Sequence, residues 1–154
     1  MQPTTAAVPR TPFRVTAGAR PHLLAVPSEP TAAKVARDFI RTALRGTPLA
    51  PLLDNAVLLT SEAVTTSHLR APASADVLLR LLTADHGLRV SVHDEAPGRI
   101  PAQTAPGRAS DQEPDHGLLL FRHLADDWGT APAAGPRRSP ALWFELRTAV
   151  QRDS

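Results

Sequence analysis

Residues Asp76 to Asp94 constrain the fold more than any other part of the chain. Asp76-Val77-Leu78-Leu79-Arg80-Leu81-Leu82-Thr83 is rich in Leu and Val and reads as a strand. Asp85-His86-Gly87 is a hairpin turn signal. After it the sequence alternates. Leu88, Val90, Val92 and Asp94 fall on one face of a strand, and Arg89, Ser91 and His93 on the other. Helical periodicity precedes this hairpin in two segments. Two hairpin strands after two helices indicate an α+β layer, not a Rossmann fold. Asp94 ends the apolar face, where a carboxylate is unexpected.

The first helical segment enters through Ser28-Glu29-Pro30-Thr31, with Thr31 as the N-cap. Val35, Phe39, Ile40 and Ala43 follow at helical spacing, and Gly46 with Pro48 closes it. Its polar side carries Lys34, Arg37, Asp38, Arg41 and Arg45, a solvated basic face by the commoner reading of such patterns. The second helix runs from about Ala50 or Pro51 to Leu69. Before both, His22 to Val26 reads as an edge strand ahead of Pro27.

Beyond Asp94 the period disappears. Pro97, Gly98, Pro101, Pro106, Gly107 and Pro114 punctuate a long loop, usually a lid or disorder in a compact domain. A third helix starts at Gly117-Leu118-Leu119-Leu120 and ends near Asp126-Asp127. Trp128-Gly129-Thr130 begins a strand, and Ala141 to Arg147 reads as the last one, with Leu142, Phe144 and Leu146 inward. Residues 1–20 and 151–154 read as tails around a domain at 21–150.

The second helix carries the candidate chemistry. One of its rows runs Leu58, Glu62, Thr65, Leu69, with Thr66 four residues after Glu62. An acid and two hydroxyls thus interrupt an apolar row. The row Leu52, Ala56, Leu59, Ala63 is apolar as well, so the helix is expected to be largely buried. A buried carboxylate needs a charged or hydrogen-bonding partner; Arg70 and Arg122 are the candidates. Thr65 reads first as a packing hydroxyl bonded to the carbonyl four residues back, and second as a ligand contact.

Composition narrows the function classes. The sequence pI near 10.3 accompanies a net charge of only +2, because Lys34 is the one lysine and there is no Tyr or Cys to titrate below arginine. The arginines are dispersed, so no direct nucleic-acid partner is expected. The absence of cysteine excludes disulfides and thiolate metal sites. No apolar run approaches membrane-spanning length, and the N-terminus has no signal-peptide core. The expectation is a cytoplasmic protein that does not engage membranes.

Ser61-Glu62-Ala63-Val64-Thr65-Thr66 resembles the S-E-L-V-T-N segment, the N box, of bacterial anti-sigma-factor serine/threonine kinases of the GHKL (histidine kinase-like ATPase) superfamily. The order of motifs supports the resemblance over roughly Pro21 to Val150. The acid-bearing helix, the strand ending in Asp94, the long loop and Gly117-Leu118-Leu119-Leu120 come in sequence, and Trp128-Gly129 with Leu142-Trp143-Phe144-Glu145-Leu146 resembles the closing segment of small family members. The resemblance implies a two-layer sandwich, with a mixed, mainly antiparallel sheet and three helices on one face.

It also implies ATP and Mg²⁺ as cofactors. Glu62 would act as catalytic base, Asp94 would accept a hydrogen bond from the adenine amino group, and Gly117 would let backbone N–H groups approach phosphates. Glu95 to His116 would form the ATP lid. Thr65, Thr66, His116 and Leu118 fall beside these positions as further nucleotide contacts, with Thr66 the Mg²⁺ ligand. His116 reads equally as a loop histidine. The motifs are degenerate: Thr66 stands where the family has asparagine, Arg70 where it usually has histidine, and Asp115 where it has the first glycine of G-x-G. A carboxylate beside a triphosphate repels it. The implied activity is to hold a sigma factor and to phosphorylate a serine of an anti-anti-sigma partner, as a homodimer whose first helix lies near the docking surface. The alternative is a protein-binding module on the same fold that exchanges partners without ATP turnover.

Overall fold

The computed structural model describes residues 19–70, 76–95, 116–131 and 141–148. Strand β1 (Arg20–Pro27) is followed by helices α1 (Ala32–Leu44) and α2 (Leu53–Arg70), strands β2 (Asp76–Ala84) and β3 (Gly87–Glu95), helix α3 (His116–Leu124), and strands β4 (Asp127–Ala131) and β5 (Ala141–Arg147). The five strands form one sheet in the order β1-β2-β3-β5-β4, and each of its pairings is antiparallel. The fold is the α+β layer expected, and the described strands include no parallel pair. Of the segments read as tails (1–20, 151–154) and lid (95–116), Arg20, Glu95 and His116 belong to β1, β3 and α3, and residues 1–18, 96–115 and 151–154 lie outside the described residues, as do 149 and 150.

Strand alternation divides the sheet. Val77, Leu79 and Leu81 of β2, Leu88, Val90 and Val92 of β3, and Leu142, Phe144 and Leu146 of β5 are buried under the helices. The register aligns them in rows, Leu81 beside Val90 and Val90 beside Phe144. Helix α1 lays Ala32, Ala36, Ile40 and Leu44 on this layer, and α2 lays Ala56, Leu59, Ala63 and Val64. Helix α3 is anchored by Phe121, edge-on to Trp128 at 5.8 Å and tilted against Phe144 at 5.6 Å.

The opposite face of the sheet is charged. Glu145 is buried there, accepts a hydrogen bond from Arg147, and lies 3.8 Å from Arg89. The Arg89 guanidinium sits 4.3 Å from the Trp143 ring centroid, a cation–π arrangement.

Local chemistry sets the element ends. Gly46, after the C-cap of α1, has φ +76°, a conformation glycine adopts without a Cβ clash. The β2–β3 turn brings Gly87 so close to β5 that a Cβ there would lie 2.6 Å from the Leu146 carbonyl oxygen.

Three local expectations need correction. Thr31 is the N-cap of α1, but its side chain makes no cap hydrogen bond; its carbonyl accepts from the amides of Lys34 and Val35 instead. The residues before α2, Ala50–Leu52, form a 3₁₀ turn, so the α-helix proper starts at Leu53. Helix α3 stops at Leu124, because the chain enters β4 at Asp127.

Candidate functional site

Asp94 is a buried residue near the end of β3. It follows Leu88, Val90 and Val92 on the face under the helices and pairs in register with Val77. The two-residue period of the strand carries it to the core side, and it is only 4% exposed. The Ser67 hydroxyl of α2 donates toward Asp94 Oδ2 over 3.5 Å. Ser67 is itself 5% exposed. An acid at the rim of an apolar layer is thereby met by a hydroxyl from the helix above it.

The sheet-facing stripe of α2 is Ala56, Thr60, Ala63 and Ser67, at helical spacing and all buried. Sequence reasoning missed Ser67. The readable signal was two hydroxyls in one stripe with two alanines, small residues that let a helix approach a sheet closely. Thr60 carries the other hydroxyl, and its Oγ1 is buried without a hydrogen-bond partner among the described residues.

Glu62 is not where its apolar row implied. Leu58 is 40% exposed and Thr65 is exposed, so the row Leu58, Glu62, Thr65 faces outward, with Glu62 half-buried at its edge. The expectation of a largely buried helix therefore holds for the Ala56, Leu59, Ala63 row alone. Helix α1 packs on one flank of α2, the sheet lies against its base, and α3 packs on α2 as well. Among the described residues Glu62 forms no ion pair, and Arg122, one of its two candidate partners, is exposed on α3. Thr66 is half-buried, one turn beyond Glu62. From Glu62 to Ser67 the helix advances about 7.5 Å, so the acid, the Thr66 hydroxyl and the Ser67–Asp94 pair follow one another along α2.

The other flank of α2 is tied to the N-terminal half. Arg37 Nη1 donates to Ser61 Oγ at 2.9 Å, and Ser28 Oγ lies 2.8 Å from His68 Nδ1. Ser61 and His68 are seven residues apart and share a side of the helix. Thr66, two residues from His68, is turned away from that side. The links to the N-terminal half thus lie away from the Glu62–Thr66 side. Ser28 and His68 carried no sequence signal, since 40 residues separate them.

Helix α3 begins at His116 and packs on α2. A helix N-terminus favours anionic groups through its unpaired N–H groups and dipole. The side chains of His116 and Leu118, the position of Asp115 and the lid 96–115 lie outside the described residues. Of the candidate residues, Glu62 and Thr66 are half-buried along α2, Asp94 is met by Ser67 of the same helix, and Thr65 is exposed.

A family model of the histidine kinase-like ATPase domain matches residues 26–135, from the end of β1 past β4. The chain belongs to the histidine kinase-like ATPase family of the GHKL superfamily, a class of ATP-binding domains. Glu62, Thr66, Asp94 and Gly117 fall inside the match, and β5 with its Trp143-Phe144-Glu145 segment lies beyond it. No curated protein matches the chain. Among the described residues no helix is long and apolar enough to cross a membrane.

The residues present fit a nucleotide. A buried carboxylate accepts hydrogen bonds only, which suits an exocyclic amine. The hydroxyl and carboxylate farther along α2 are hard oxygen donors of the kind Mg²⁺ takes beside phosphates.

Proposed function

We propose that this protein is an ATP-binding regulator similar to the anti-sigma-factor serine/threonine kinases, which binds a sigma factor and phosphorylates a serine on an anti-anti-sigma partner. The observation that carries the reading is Asp94, a carboxylate held under α2 at the end of an apolar strand face, within a family that binds ATP. Asp94 would hold the adenine amine. Thr66 would offer its hydroxyl to Mg²⁺, and the backbone at Gly117 would meet the phosphates. ATP supplies the phosphoryl group and leaves as ADP. Glu62 would take the proton of the accepting serine, a task that suits a half-buried acid without an ion-pair partner among the described residues. Positioning and charge neutralisation carry most of such a reaction.

A second reading keeps the fold and the partners but not the turnover. Thr66 in place of asparagine and Asp115 in place of glycine favour it, since the first shortens a metal ligand and the second adds charge beside a triphosphate. Partner docking would use α1, whose outer side carries Lys34, Asp38 and Arg41 beside exposed Val35, and a homodimer would form near the same helix.

Calorimetry with Mg·ATP tests the first reading. Micromolar binding supports it, and phosphate transfer to a partner serine then separates kinase from adaptor. A folded protein that binds nothing at millimolar ATP would refute the nucleotide reading and leave the adaptor.

A further inference from the structure

The Ser67 hydroxyl has no role in the proposed reaction. It is buried on the sheet side of α2, reaches Asp94 across 27 residues of sequence, and stands 3.5 Å from Oδ2. An O–H···O bond closes to about 2.5–3.0 Å when nothing holds the groups apart. Hydroxyl and carboxylate are therefore neighbours at hydrogen-bonding reach, not a tightly closed pair.

Their chemistries are complementary. A carboxylate accepts, while a hydroxyl donates as well as accepts. Adenine presents an amine donor at carbon 6 next to the acceptor nitrogen N1. Guanine presents a carbonyl at carbon 6, the opposite polarity, next to a protonated N1. We propose that Ser67 is a specificity-determining residue of the nucleotide site: its hydroxyl donates to N1 of adenine while Asp94 accepts from the 6-amino group. The proposal rests on the reading that this chain binds ATP. With guanine the carbonyl would face the buried Asp94 carboxylate, two acceptors set against each other. A site that leaves a buried polar group unmatched rejects the wrong ligand strongly.

A hydroxyl that only fastens α2 to β3 would be indifferent to N1. The test is calorimetry of the full chain, wild type and Ser67→Ala, with Mg·ATP and with Mg·1-deaza-ATP, in which a C–H replaces N1. One neutral hydrogen bond corresponds to about a two- to tenfold change in Kd. Wild type is expected to bind ATP tighter than the analogue by that factor, and Ser67→Ala to bind the two alike. Equal affinity of the wild type for ATP and 1-deaza-ATP overturns the proposal without any variant. An unchanged ratio in Ser67→Ala overturns it as well and leaves Ser67 a packing residue. In both of those cases ATP still binds, so the proposed function survives. No ATP binding by the folded wild type removes both.

Discussion

Replacing Asp94 by asparagine isolates the charge that the nucleotide reading depends on. The substitution keeps the volume and shape of a side chain that is 4% exposed, so packing against Val92 and α2 is preserved. A hydrogen bond to a charged acceptor contributes about 1.5–3 kcal/mol. Asparagine would recover part of this. Its amide can turn so that the carbonyl faces the adenine amine and the NH₂ faces Ser67, whose hydroxyl can accept. A neutral bond contributes about 0.5–1.5 kcal/mol, so what remains lost with the charge is about 1–1.5 kcal/mol, or roughly five- to tenfold in Kd. Calorimetry with Mg·ATP on both proteins measures it, and urea denaturation checks that the fold is unchanged, with stabilities expected to agree within about 1 kcal/mol. Equal ATP affinity in a folded Asp94→Asn protein would refute the reasoning and return Asp94 to a cap for the segment that follows β3.

Thr66→Asn lengthens the reach of the proposed metal ligand and should raise nucleotide affinity in Mg²⁺ but not in EDTA; no change in either points to Asp115 as the weak position. Phe121→Ala removes a ring 1% exposed and in contact with Trp128 and Phe144, and should lower stability by about 3–5 kcal/mol in urea melts. Gly87→Ala sets a methyl against the Leu146 carbonyl and should lower stability by about 1–3 kcal/mol. Asp38 accepts from Lys34 at 2.8 Å and from Arg41 at 3.0 Å, and the Lys34 hydrogen bond, then the charges, hold its carboxyl below the usual 3.8. Because the folded value lies below the unfolded one, its support of α1 is present near neutral pH and fades as pH falls through the folded value. An NMR titration should show the depressed midpoint, and Lys34→Ala should raise it.

Much of the architecture was legible because periodicity is a local property. The alternation through Leu88, Val90 and Val92 assigns Asp94 to the core face, and the folded strand buries it there. The α2 rows show where this stops working. The row through Leu58 is apolar only at Leu58 and Leu69, yet it reads as a second buried side beside the wholly apolar row through Ala56 and Leu59. A helix beside a sheet offers one broad side to it, and here the sheet took the side with alanines, Thr60 and Ser67, since small side chains permit close approach. A count of apolar residues scores those hydroxyls as polar and passes over them. Thr31 failed in another way. Its type and place suited a cap, but its backbone is helical, with φ −86° and ψ −1°, and the side chain makes no cap hydrogen bond.

The sequence by itself determined the class of layer, the inward faces of β3 and β5 and the carboxylate at the end of β3, because each follows from spacing along one segment. Only the tertiary structure decided which side of α2 meets the sheet, and with it that Glu62 stays half-buried while Ser67 stands over Asp94. Contacts such as Ser28 with His68 and Ser67 with Asp94 span 40 and 27 residues. No local pattern encodes them; they exist because packing the apolar faces of several segments brings the polar groups at their rims together.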